Sequence, residues 1–254
     1  MYPFIKIFGS NNTSSMDPAG SIGIKRMKTK NVIVVGSGKL ATAVLEGLNQ
    51  DKTGLVALWE TRDLNSMPES IVVHAGSGRQ LAEVYEFCKS SNSVFVELST
   101  GTTTIDNDFS FPVILCPNTS ILLIKFLSMW KHFGNLSNKF DISILESHQH
   151  SKKSTPGTAV EIADAIGYSR ENISSVRDPE VQSKELRIPN EYLPKHAFHR
   201  VKIEDGSVSI QIETKVLGHD SYAVGVREIV SAIRKIELEN RKYQITEFAE
   251  NGWI

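Results

Sequence analysis

Glu146, His148, His150, Lys152 and Lys153 crowd into one stretch of eight residues. The segment around them, Ile144–Ala159, reads ILESHQHSKKSTPGTA and stops at Pro156-Gly157-Thr158. An imidazole and an ammonium group so close together can hand a proton to a reacting centre. A helix beginning at the Pro-Gly-Thr turn would add free backbone amides, a natural seat for a carboxylate. Taken alone, the same residues also describe a solvated basic loop. The surrounding elements decide between the two: a strand-like run over Phe140–Leu145 leads in, and a helical run over Thr158–Ile166 leads out.

Earlier in the chain, Asn31–Val35 (NVIVV) has the β-branched, wholly apolar character of a buried parallel strand. Gly36-Ser37-Gly38-Lys39-Leu40-Ala41 follows at once, and then a helical stretch to about Leu48. This is the G-x-G-x-x-A form of the dinucleotide fingerprint in its strand–turn–helix context. Gly36 permits the tight turn, Gly38 lets backbone approach a pyrophosphate, and Ala41 stays small for close helix–strand packing. A second strand, Leu55–Trp59, ends in Glu60-Thr61-Arg62. Glu60 lies about 20 residues past the glycines, where an acid binds the ribose 2′-hydroxyl. Arg62 suits a 2′-phosphate instead, so NADH and NADPH both stay open.

Strands at Ser70–His74, Ser93–Leu98 and Pro112–Cys116, with a helix over Arg79–Lys89, continue the alternation of a doubly wound sheet. Ligands bind beyond the carboxyl ends of such strands. That draws attention to three loops: His74-Ala75-Gly76-Ser77-Gly78, Ser99-Thr100-Gly101-Thr102-Thr103 and Pro117-Asn118-Thr119-Ser120. An apolar helix over Ile121–Phe133 then leads to the basic segment. After the helix at Thr158–Ile166 comes a poorly patterned loop, Tyr168–Lys195. Strands near His199–Glu204 and Ser207–Val216 flank an Asp205-Gly206 hairpin signal, and helical patterning returns at Val224–Ile236.

The balance of 28 basic against 29 acidic side chains leaves a net charge of −1, which gives no electrostatic case for a nucleic-acid or membrane partner. No apolar run is long enough for a membrane span. Cys88 and Cys116 lack metal-ligand spacing, which predicts buried, reduced thiols, a cytoplasmic location and no metal site. Residues 1–27 lack a secretory h-region and read as a flexible extension, with Met27 opening the folded part. His132, His196 and His199 read as structural or surface residues.

In order, Gly36/Gly38, Gly101-Thr102-Thr103, Asn118-Thr119-Ser120, Glu146-Ser147-His148 with Lys152, and Pro156-Gly157-Thr158 resemble the motifs of the dihydrodipicolinate reductase family. The resemblance runs from Asn31 to the C-terminus. It implies an α/β fold: a Rossmann-type parallel-sheet domain carrying an inserted α+β sheet domain for substrate binding and oligomerisation. The implied divisions are 28–119 for the dinucleotide-binding domain, 120–222 for the substrate and oligomerisation domain, and 223–254 for a return to the first. It further implies an NADH- or NADPH-dependent oxidoreductase of lysine and diaminopimelate biosynthesis, assembled as a homotetramer. The substrate would be a cyclic carboxylated imine, 4-hydroxy-tetrahydrodipicolinate above all.

Carried over by residue, His148 becomes the acid/base group and Lys152 the proton donor. Gly36, Ser37, Gly38, Lys39, Leu40, Glu60, Arg62, His74, Gly101, Thr102, Thr103, Pro117 and Asn118 become cofactor contacts. Gln149, Gly157, Thr158 and His219 become substrate contacts. The chain also departs from the pattern. Gln149 stands where the family has a second His, Ser154 where it has an aspartate, and His219 near where an Arg is expected. The turn after Pro156 is one residue short. Each change weakens the grip on a dicarboxylate, so a related cyclic imine is the next substrate class, and a non-catalytic nucleotide-binding relative is the competing kind of protein. A sugar or amino-acid dehydrogenase would need a Lys-Pro-like motif where Cys116-Pro117-Asn118 stands.

Overall fold

A computed structural model describes residues 31–49, 54–63, 67–99, 110–136, 139–153, 156–218 and 220–254. The proposed N-terminal extension therefore lies outside the described residues. So do Gly101, Thr102, Thr103, Ser154 and His219.

The first half builds a parallel sheet from β1 (Val32–Val35), β2 (Val56–Leu58), β3 (Ile71–His74), β4 (Val94–Glu97) and β5 (Val113–Leu115). Every residue of β1, β3 and β4 is buried, which explains their unbroken apolar runs. A sixth strand, β10 (Lys242–Gln244), arrives from the far end of the chain and pairs in parallel with β5. The resulting order is β2-β1-β3-β4-β5-β10, which puts β1 between β2 and β3. Chain direction switches sides there, and a crevice opens at the strands' carboxyl ends.

Helix α1 (Lys39–Asn49) and the late helices α6 (Asp220–Ile233) and α7 (Ile245–Glu250) cover one face, burying Val44, Leu48, Val230, Ile233 and Phe248 against Val32, Val34, Val73 and Val96. Helix α2 (Leu81–Ser91) covers the other with Val84 and Cys88 against Ile33, Val35 and Phe95. Both cysteines are free and buried, and burial pushes both thiols upward.

A second sheet has the order β7-β6-β8-β9, with β6 (Asp141–His148), β7 (Ser174–Val176), β8 (His196–Glu204) and β9 (Ser209–Leu217). Helices α3 (Ile121–Phe133) and α4 (Gly157–Ile166) pack Leu127, Trp130, Ile162 and Ile166 on its Ile144 and Val201 face. Three sequence expectations change here. Strand β6 runs on through His148, so that histidine stands on a strand end rather than in a loop. The stretch read as unpatterned, 168–195, contains β7 and a short helix α5 (Pro179–Lys184) capped by Asp178. Strand β10 and helix α7 lie beyond the last element that the patterning predicted. The last two were concealed by elements of only three to six residues, too short to display a period.

Candidate active site

Along β6, Ile142, Ile144, Glu146 and His148 point to one face. The first two serve the core beneath α3 and α4, and the polarity then changes abruptly. Glu146 stands opposite Ser175 on β7 and His199 on β8, and His199 stands opposite Thr214 on β9. A polar row thus crosses all four strands at one level, and His148 is the next residue outward on the same face.

The Glu146 carboxylate is 0% exposed. Its Oε1 accepts hydrogen bonds from Arg177 Nη2 at 2.6 Å and from the Ser175 hydroxyl, and its Oε2 accepts from His148 Nδ1 at 2.9 Å. Burial alone would raise its pKa, but the His148, Arg177 and Ser175 donors overcome that and hold the carboxyl down to about 2. An ionised Glu146 keeps the His148 proton on Nδ1, so Nε2 is the nitrogen free to exchange a proton. The His148 carbonyl is held by Gln182 Nε2 at 2.8 Å.

His199 stands behind this pair. Its ring centroid is 5.8 Å from that of His148, in an edge contact, and Nδ1 meets Thr214 Oγ1 at 3.0 Å. Burial drives its pKa down to about 3 and keeps the imidazole neutral. His196 is also structural, bonded to Ser147 and to the Tyr192 and Leu193 carbonyls, and His132 bonds the Ser128 carbonyl of its own helix.

The basic segment folds back directly after β6. Lys152 N–H donates to the Gln149 carbonyl at 2.9 Å, and the Lys152 carbonyl accepts from Arg177 Nε at 2.9 Å. Among the described residues the Lys152 ammonium has no ion-pair partner. Helix α4 starts at an exposed Gly157, and Pro156 gives its N-terminus no side-chain cap, so the first amides stay open to an anion. Arg177, Ser175, Gln182 and His199 all belong to this cluster without having been singled out in the sequence as site residues. Strand register brings in Ser175 and His199, and the fold of the chain just after β7 brings in Arg177 and Gln182.

At the other sheet's crevice, Gly36 has φ +119, and a Cβ there would lie 2.7 Å from the Ala75 carbonyl oxygen, so only glycine fits. Ser37, Gly38 and Lys39 are exposed at the start of α1, and nothing lies within 4 Å of where a Gly38 Cβ would stand. A cavity of about 360 Å³ adjoins them, walled by Lys39, Leu40, Ala43, Leu98, Pro117, Thr119 and Tyr222. Open amides beside a mostly apolar pocket fit a dinucleotide with a flat ring at one end. Ala43, Leu98 and Tyr222 join the cavity without having been predicted, and Thr119 belongs to the Pro117–Ser120 loop marked in the sequence.

Two expected cofactor contacts are differently employed. The His74 side chain is 0% exposed: Nδ1 donates to Glu97 Oε1 at 2.9 Å, and Nε2 donates to the Arg79 carbonyl at 2.8 Å. Both ring nitrogens are thus directed at groups within the protein. Burial pulls its pKa down, and the Glu97 and Arg79 acceptors more than reverse this. Arg62 folds over the Trp59 ring, 3.2 Å from its centroid, and donates to the Trp59 carbonyl. The Glu60 side chain is exposed at the turn after β2, and Asn118 Oδ1 accepts the Ser120 N–H. The described residues contain no cluster able to hold a metal, and no described helix is long and apolar enough to cross a membrane.

Residues 121–248, half of the 254-residue chain, match the family described as dihydrodipicolinate reductase, C-terminus. Over 153 residues the chain is 26% identical to 4-hydroxy-tetrahydrodipicolinate reductase 1, chloroplastic, of Arabidopsis thaliana, covering 55% of this chain and 44% of that protein. It is 28% identical over 130 residues to the 4-hydroxy-tetrahydrodipicolinate reductase of Syntrophotalea carbinolica, covering 46% and 48%. The chain thus spans less than half the length of these curated relatives. The dipicolinate-bound dihydrodipicolinate reductase from Paenisporosarcina sp. TG-14 superposes with a TM-score of 0.57 at 17% identity, over 85% of this chain and 97% of that one. At that identity the likeness is one of fold.

Proposed function

The chain belongs to the dihydrodipicolinate reductase family, and on that basis we propose that it reduces a cyclic carboxylated imine, 4-hydroxy-tetrahydrodipicolinate first, at the expense of NADH or NADPH. The observation that carries this reading is the His148–Glu146 pair: a buried carboxylate fixes Nδ1–H and leaves Nε2 for proton exchange, with Lys152 four residues on.

Replacing the substrate's 4-hydroxyl by hydrogen takes one hydride and one proton and releases water. The Gly36–Lys39 turn would hold a reduced nicotinamide dinucleotide, which would supply the hydride when bound. The protein's part is to receive the negative charge that builds up in the ring. Lys152, whose ammonium has no ion-pair partner among the described residues, serves that purpose and delivers the proton. His148 Nε2 exchanges a proton beside it, and Glu146 stabilises the imidazolium whenever it forms. Open amides at Gly157 and Thr158 receive a substrate carboxylate, with Gln149 as a further substrate contact; His219, the other expected contact, lies outside the described residues. Neither replaces the charged fork of an arginine, so a monocarboxylate imine is the second substrate class.

The exposed Glu60 carboxylate accepts hydrogen bonds from a ribose diol and repels a 2′-phosphate, while Arg62 is occupied on Trp59. Together these favour NADH over NADPH. The same reading assigns 28–119 and 223–254 to the cofactor half and 120–222 to the substrate half. It also assigns a homotetramer and a cytoplasmic location. A crystal of the complex with NADH and pyridine-2,6-dicarboxylate, a planar stand-in for the substrate, tests the site. The expected result is a ligand carboxylate on the Gly157–Thr158 amides with the ring edge facing Lys152; a ligand elsewhere, or none, overturns the assignment.

A further inference from the structure

Strand β7 exposes Ser174 and Ser175 and was not legible as a strand, yet its parallel pairing with β6 sets Val176 opposite Ser147. Arg177, the next residue, therefore emerges beside His148. Its guanidinium makes three bonds in different directions: Nη2 to Glu146 Oε1 at 2.6 Å, Nε to the Lys152 carbonyl at 2.9 Å, and Nη1 to the Val176 carbonyl at 3.0 Å. The Arg177 carbonyl in turn accepts His150 Nδ1 at 3.1 Å. The side chain is only 19% exposed, with its positive charge directed at a carboxylate that is 0% exposed.

We propose that Arg177 is the positioning residue that holds the two proton-handling groups in register, because one guanidinium grips both the carboxylate orienting His148 and the backbone of Lys152. This rests on the reading of His148 and Lys152 given above. Without the guanidinium, Lys152 loses its tie to the strand pair, leaving the His150 contact to hold the segment, and a misplacement of about 1 Å in such a site costs on the order of 100-fold in rate. The geometry demands an arginine. A lysine ammonium is a point charge on a flexible stem and cannot bond Glu146 and the Lys152 carbonyl together in a fixed fork.

Charged and titratable groups surround this carboxylate from each neighbouring element: His148 on β6, His150 and Lys152 on the segment after it, Arg177 after β7, and His199 on β8, while His196 acts on His148 and Arg177 rather than on Glu146. Arg177 is the cation permanently paired with Glu146, so removing it moves the Glu146 titration upward.

The test uses the full chain with Arg177→Met and Arg177→Lys. Two readouts are needed: kcat and KM as functions of pH, and the Glu146 carboxyl titration followed by carbon NMR. The expected Arg177→Met result is a fall in kcat of about 100-fold with NADH affinity unchanged. Its Glu146 titration should rise by at least about one pH unit. Arg177→Lys should restore most of the titration but recover kcat only in part. Wild-type kcat in both variants overturns the proposal. A rise in the imine KM alone also overturns it, since that would make Arg177 a substrate ligand. If Arg177→Met does not fold, Arg177→Lys decides: full wild-type kcat sinks the proposal. If wild-type protein shows no turnover, the reductase reading fails, and an unmoved Glu146 titration in the variants would separately refute the link.

Discussion

Glu146 and His199 face one another across β6 and β8, and both make the protein sensitive to acid, by opposite means. The Glu146 carboxyl is held down to about 2 from an ordinary 4.5, so its stabilisation is complete above about pH 4.5 and is lost as pH falls toward 2. His199 is kept neutral, with its pKa pushed from 6.5 down to about 3. The unfolded chain therefore takes up a proton that the folded one refuses, and stability falls as pH drops below about 6.5. His199→Phe keeps an aromatic ring against His148 and removes this titration. Urea unfolding of the variant is expected to lose on the order of 1–2 kcal/mol less than wild type between about pH 7 and about pH 5. Equal losses would show that His199 does not titrate in this way. From sequence His199 reads as structural or surface because the alternation of β8 gives its face but not its neighbours. The proposal of Glu146, His148 and Lys152 as one chemical group, by contrast, needed only their spacing within one segment. Arg177 was not legible in that way, since its partners lie 25 and 31 residues back along the chain.

At the level of elements, the carboxyl ends of β3 and β4 are fastened by the His74–Glu97 pair, with side chains 0% and 2% exposed. Glu97 Oε1 also accepts the Ser99 N–H at 2.7 Å, and Ser99 Oγ accepts the Ser77 N–H at 3.1 Å, so the two loops bordering the crevice are tied together. His74 has a raised pKa in the folded protein, so its contribution is fully present below about pH 6.5 and is lost as pH rises through the folded value. His74→Leu strands a buried carboxylate and is expected to cost about 3–5 kcal/mol in thermal or urea unfolding. An unchanged stability would contradict the ion pair. The Gly36–Ala41 turn was legible because strand, turn and helix are contiguous, so local sterics decide it. The pairing of His74 with Glu97 was not legible, because its partner sits 23 residues on, across a strand pairing that patterning does not reveal.

For the whole molecule, what holds the two sheets in one framework is the chain's return. Helix α6 follows directly from β9 and lies on the first sheet with α1, and β10 completes that sheet's edge beside β5. Gly225 is where α6 meets the segment between β5 and α3: a Cβ there would fall 1.6 Å from the Thr119 carbonyl oxygen. Since Thr119 also walls the 360 Å³ cavity, the same contact supports the crevice. Gly225→Ala is expected to cost about 3 kcal/mol, near the upper end for overpacking, and to weaken NADH binding with it. A variant with wild-type melting temperature and affinity would contradict this packing. The order of elements made a parallel sheet with an inserted second sheet legible in advance. A return of the chain over 223–254 was expected as well, but the strand that makes it was not, because β10 has only three residues and pairs with a strand far back in the chain.

The central claim is imine reduction with Glu146-held His148 and Lys152 managing the proton, and steady-state turnover tests it most directly. Purified protein is given NADH and freshly generated 4-hydroxy-tetrahydrodipicolinate, and nicotinamide oxidation is followed for wild type, His148→Gln and Lys152→Ala. The expected result is substrate-dependent oxidation by the wild type, lowered about 100- to 10,000-fold in each variant with NADH affinity intact. Wild-type protein that binds NADH without oxidising it, or variants that turn over at the wild-type rate, would contradict the account.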